Sequence, residues 1–301
     1  MDEKIEKTKR QIERASKFFE VSKNIVEVSA NQADAVAYVA RVLAQVTLPH
    51  SPQKSNEYER TNGSVTIRAV SLNSKVGLPF GTYPRLLLAW MGTEAVRTKS
   101  PVLELGDNLS SFMRELNLVP TGGRWGSVTR LRDQMNRLTA TAISWTAHLP
   151  NGKVLNNVVP VREAKLWWDP KQPTQSELWR SSIRLDQEFY EALVASPVPL
   201  DMRALKVLAH ERSPLALDIY TWLTYRMSYL EEATVVPWAS LEAQFGGNFT
   251  RPRAFKEKFL ERLKLVQQLY PAARVRPSSN KRKPGLLIEP SPTHVPKRLR
   301  A

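Results

Sequence analysis

The chain has 301 residues, 42% hydrophobic and 24% charged, which is enough for about two globular domains with sizeable cores. Lys and Arg number 44 against 29 Asp and Glu, so the net charge of +15 makes a polyanion the first partner to expect. Cysteine is absent, which excludes disulfides, thiolate metal sites and a cysteine nucleophile, and no apolar run approaches the roughly 18 residues of a membrane span. Together with an amino terminus that lacks an apolar signal core, this reads as a cytoplasmic protein without a membrane partner.

Residues 1–20 read as a solvated, charge-alternating helix with little to give a core. Residues 32–46 place Ala35, Val36, Val39, Ala40 and Leu43 at helical spacing, which predicts a second helix with one apolar stripe. The polar stretch 48–63, with Pro49 and Pro52, reads as a linker. The alternation of Val65, Ile67 and Ala69 predicts a strand. Tyr83-Pro84 opens a helix to about Thr98, Asp107 or Asn108 caps the next, and Ser127 begins a third with Val128, Leu131, Met135 and Leu138 on one face. Residues 141–149 and 154–161, joined through Asn151-Gly152, predict a hairpin.

A similar order returns about 130 residues later. A strand is expected at 183–185 and helices at 186–194 and 202–210, followed by a helix capped by Ser213-Pro214 and a short helix over 237–245. A long helix then follows Thr250, with Phe255, Phe259, Leu263 and Val266 buried, and a terminal hairpin has the tip SSNKRKPG. The pattern predicts an internal duplication within an α+β, predominantly helical protein of tandem winged-helix domains. The expected division is an arm and linker over 1–63, a first domain over 64–170 and a second over 171–301.

Charge is segregated in the second half. Residues 250–283 carry eleven basic side chains against Glu257 and Glu261, whereas residues 186–249 carry four basic and nine acidic ones. A charge run is ordinarily a solvated face; this one falls on the helix and hairpin that a winged helix presents to DNA. Thr250, Arg251, Arg253, Lys256, Lys258 and Arg262 are the expected recognition-helix contacts, with Arg251 and Arg253 in the first turn able to read guanine. Arg274, Arg276, Lys281, Arg282 and Lys283 are the expected wing contacts, to phosphates or the minor groove. The first half is sparser, with Arg124, Ser127, Arg130 and Arg132 as candidate DNA contacts. The glycines at 122, 123 and 126 fit a permissive turn as well as a phosphate approach. Trp167-Trp168 fits interdomain or dimer packing as well as simple exposure.

The run from residue 78 to 135, which contains LPFGTYPR and LVPTGGRWGS, resembles the family of plasmid-encoded RepA-type replication initiators, with looser similarity to about Pro290. The resemblance implies sequence-specific binding of double-stranded DNA at directly repeated origin sequences, recruitment of host replication proteins, repression of the protein's own promoter and a monomer-dimer exchange. The four histidines are isolated and no Gly-rich phosphate loop is present, so neither a metal nor another cofactor is expected, nor catalysis. A winged-helix transcriptional repressor and, further off, a DNA-nicking enzyme are the alternatives.

Overall fold

A computed structural model describes residues 2–45, 47–167, 174, 181–246, 249, 251–280 and 282–296. In chain order it contains α1 (Asp2–Glu27), β1 (Val36–Ala40), α2 (Arg41–Gln45), β2 (Glu57–Asn62), β3 (Val65–Ser71), α3 (Tyr83–Thr98), β4 (Val102–Glu104), α4 (Leu109–Glu115), α5 (Ser127–Thr139), β5 (Thr141–Leu149), β6 (Gly152–Val158), β7 (Val161–Lys165) and β8 (Ser182–Leu185). There follow α6 (Gln187–Ala195), β9 (Pro197–Asp201), α7 (Met202–His210), α8 (Pro214–Met227), β10 (Thr234–Pro237), α9 (Trp238–Phe245), α10 (Pro252–Leu269), β11 (Val275–Pro277) and β12 (Gly285–Ile288). Helix makes up 43% and strand 23%, an α+β fold.

Two units share one plan. The first has α3, β4, α4 and α5 with a sheet ordered β4-β8-β7, and the second has α8, β10, α9 and α10 with a sheet ordered β10-β12-β11. In each, the first strand lies at one edge and the last strand takes the middle. Both units begin with a strand, β1 and β9, and these pair antiparallel with Tyr38 opposite Pro199. An antiparallel pair of equivalent strands is what a local two-fold axis generates.

Local chemistry explains the helix starts. The Asn108 side chain accepts from the Ser111 amide at 2.9 Å, and Asp201 and Ser213 cap α7 and α8 in the same way. Pro84 and Pro214 occupy first-turn positions, where the missing amide hydrogen costs nothing.

Several expectations are corrected. Of the expected helix over residues 32–46, residues 32–45 form a turn, β1 and α2 instead. The spacing that suits a helical stripe also lets Ala37 and Val39 alternate inward, and the edge of β9 supplies the hydrogen bonds that decide the matter. Gly92 allows this pairing, since a Cβ there would lie 2.1 Å from the Tyr38 carbonyl oxygen. The expected linker holds β2, which pairs with β3, so a boundary at 63 falls in a hairpin turn. The β5–β6 hairpin does not close the first unit but joins β2 and β3 in a separate four-stranded sheet, ordered β2-β3-β5-β6. The hairpin equivalent to β11–β12 is β7–β8. A boundary at 170 would part those strands; their connection lies mostly outside the described residues, and so does Trp168.

The leading helices are exchanged between cores. Phe18 of α1, expected to stay solvated, is buried together with Ile25 of the same helix against Phe255, Phe259 and Leu263 of the second unit. Phe189 and Leu193 of α6 are buried with Leu103, Phe112, Leu131 and Ile183 of the first. The Arg203 guanidinium on α7 fastens the end of α1, donating to the Asn24 side chain at 2.8 Å and the Val28 carbonyl at 2.7 Å.

Candidate nucleic-acid interface

The second unit carries the denser basic surface. Phe255, Phe259, Leu263, Val266 and Leu269 anchor α10 in the core, so the opposite face, with Arg253, Lys256 and Lys264, is exposed. Arg251 is exposed at the helix start, and Thr250 lies outside the described residues. Arg253 pairs with Glu257 at 2.9 Å, and Lys256 sits 5.2 Å from the Trp238 ring centre. Lys258 and Arg262 occupy the flank instead of the outward face, both paired with Glu261 at 2.8 and 3.2 Å. Exposed pairs of this kind are worth about 1 kcal/mol or less, so a phosphate can displace the carboxylate readily.

The hairpin tip is ordered by Asn280, whose side chain accepts from the Arg282 amide at 2.9 Å and whose carbonyl accepts from the Lys283 amide at 3.1 Å. This leaves the Arg282 and Lys283 side chains exposed. Lys281 is outside the described residues. Arg276 pairs with Glu289 at 3.3 Å, and the Arg274 guanidinium donates to the Pro290 carbonyl. Of the expected contacts, Arg251, Arg253 and Lys256 lie on the start and outer face of α10 and Arg282 and Lys283 at the tip, while Lys258, Arg262, Arg274 and Arg276 are already engaged within the protein.

In the first unit the outward face of α5 presents Thr129, Arg132 and Asn136, a much weaker positive surface. Ser127 is corrected: it is buried, its hydroxyl donates to the Val119 carbonyl at 2.5 Å and accepts from the Thr121 amide at 2.9 Å, so it braces the turn rather than facing a phosphate. Gly126 is dictated by the same turn, since a Cβ would stand 2.2 Å from the Thr121 oxygen. Arg124 lies over Trp125, which is 80% exposed beside the open glycines. Arg130 points elsewhere, over the Tyr83 ring at 5.6 Å, into a cleft between the units.

One buried ionic joint links the equivalent helices α3 and α8. Arg85 donates to both Asp218 oxygens at 2.6 and 2.7 Å and to the Leu48 and Gly81 carbonyls, and His50 meets Asp218 at 2.8 Å. Burial opposes the Asp218 charge, but Arg85 and His50 outweigh it and hold the carboxyl below its usual range. Sequence reading missed this joint because its three members are far apart in the chain. Among the described residues no three of His, Asp and Glu gather as a metal would require, and no helix is long and apolar enough to cross a membrane.

The profile of the plasmid-encoded RepA protein family matches residues 78–240, more than half of the chain and most of both units up to α9. The chain belongs to that family of plasmid replication initiators. Crystal structures of domains 2 and 3 of RctB share the fold: a selenomethionine form aligns at TM-score 0.53 and 12% identity over 82% of this chain and 94% of that one, and a second at 0.50 and 14% over 82% and 96%. No curated protein matches by sequence. The family match ends before α10, so the densest basic surface of this RepA-family chain lies outside the region that identifies it.

Proposed function

We propose that this RepA-family chain initiates plasmid replication by binding directly repeated origin DNA sequence-specifically through two winged-helix units, without catalysis, and that it recruits host replication proteins. The carrying observation is that Arg251 at the N-cap of α10 and Arg253, Lys256 and Lys264 on the helix are exposed while the adjacent hairpin exposes Arg282 and Lys283, in a unit whose sheet order is first strand, third strand, second strand. In this reading α10 enters the major groove, the hairpin is the wing, and the first unit, through Arg124 and Arg132, holds the backbone. Cytoplasmic location, self-association as a dimer and repression of its own promoter belong to the same proposal.

The test is binding of the full chain to a candidate origin duplex of direct repeats and to a scrambled duplex, over a salt series. If about 6 phosphates are contacted, log affinity falls against log salt with a slope near −5. Arg253→Ala should relax base preference and cost about 1 to 3 kcal/mol on the repeat, whereas Arg282→Ala should weaken both duplexes alike. A slope near zero, or equal losses on both duplexes for Arg253→Ala, overturns the assignment. A protein that binds the repeats but supports no replication of a plasmid carrying them is a repressor instead.

A further inference from the structure

The cleft between the units has a volume of about 540 Å³, within the range of small-molecule sites, and it lies away from the outward face of α10. Three arginines from three different elements line it: Arg14 of α1, Arg130 of α5 and Arg212 of the turn between α7 and α8. None of them forms a carboxylate ion pair within 4.0 Å among the described residues. The acidic side chain on the wall, Asp133, is already matched by Arg137 at 2.8 Å.

Backbone charge adds to this. The N-termini of α3, α5 and α8, helices of 16, 13 and 14 residues, all open on the cleft through Thr82, Ser127 and Pro214, and each brings roughly half a positive charge. The ring of Tyr83, with Arg130 over one side, and that of Phe80 supply planar walls. Arg212 adopts a left-handed backbone conformation, φ 51°, that projects it from a tight turn. The segments GLPFGTYPR and LVPTGGRWGS, far apart in sequence, thus converge on one basic, aromatic-lined hollow.

We propose that this cleft binds a nucleotide, its phosphate held by Arg130, Arg212 and Arg14 and its base against the aromatic wall. The volume suits a mononucleotide or one or two nucleotides of a single strand, not a rigid duplex. Because the walls come from both units, the ligand would fix their relative orientation. The proposal is independent of the duplex face assigned to α10.

The experiment measures binding of fluorescein-labelled decathymidylate and, separately, of ATP to the full chain, with variants Arg130→Gln, Arg212→Gln, Val119→Glu and, as a control at the far end of α3 from the cleft, Lys99→Gln. At least one probe should bind, with affinity reduced about tenfold or more by Arg212→Gln and by Val119→Glu, which sets a negative charge on the exposed rim, and changed less than twofold by Lys99→Gln. Binding of the oligonucleotide alone marks a single strand as the source; binding of ATP alone marks a free nucleotide. Unchanged thermal melting of Arg212→Gln keeps the result interpretable should Arg130→Gln disturb Tyr83. If neither probe binds, or if Arg212→Gln and Val119→Glu leave binding intact, the proposal fails, whatever happens to duplex binding.

Discussion

The two units have the same strand order and helix order, yet they differ in surface and in what surrounds them. The second is compact, keeps its hairpin directly after α10 and concentrates its arginines and lysines outward. The first is interrupted twice, by β2–β3 and by β5–β6, which leave it to build a sheet of their own. Its α5 face is nearly neutral by comparison, and Arg130 turns into the cleft. The lesson is that a duplicated core can stay constant while charge and insertions diverge, because the core is set by apolar spacing and the surface is not. A second lesson lies in the exchanged helices: neither unit completes its core without an element preceding the other.

The comparison can be broken or sharpened at four places. The largest effect is expected at the joint between equivalent helices: Asp218→Ala leaves Arg85 buried without its carboxylate and should cost about 3 to 5 kcal/mol in chemical denaturation. A cost below about 1 kcal/mol would mean that the units are not held together there. Next is a feature of the second unit alone. His294 Nδ1 shares a hydrogen bond with the Tyr220 hydroxyl at 2.7 Å and its ring stacks on Tyr270, and burial lowers its pKa to about 4 from 6.5. Between those values the unfolded chain binds a proton that the native chain does not, so stability should fall as pH drops from about 6.5 to 4, by on the order of 3 kcal/mol in all. Thermal melts across that range should show the fall, and His294→Gln should flatten it.

A smaller effect is expected where β1 lies on α3. Gly92→Ala forces a methyl against the Tyr38 backbone and should cost about 1 to 3 kcal/mol, with hydrogen exchange loosening first in β1 and β9. The smallest concerns the charge contrast itself: Glu257→Gln releases Arg253 from its partner, should change stability by less than about 1 kcal/mol, and should tighten duplex binding. The matching change in the first unit, Asp133→Gln, should leave duplex affinity nearly unaltered, because Asp133 holds Arg137 and not an outward arginine.

Much of this was legible in the sequence. Caps and prolines marked the starts of α3, α4 and α8, and apolar spacing gave the buried faces of α5 and α10, since those signals act within one or two turns of chain. The basic character of α10 and its hairpin was visible as composition, and the two glycine-containing motifs carried the family. What only the tertiary structure decided depends on pairing across long separations. Whether residues 36–40 form strand or helix was settled by the edge of β9, about 160 residues away. Which hairpin closes the first unit was settled by β4 and β8, and which arginines face outward by carboxylates and aromatic rings on neighbouring turns and elements. Spacing along a chain dictates which side chains share a face; it does not name the surface that face will meet.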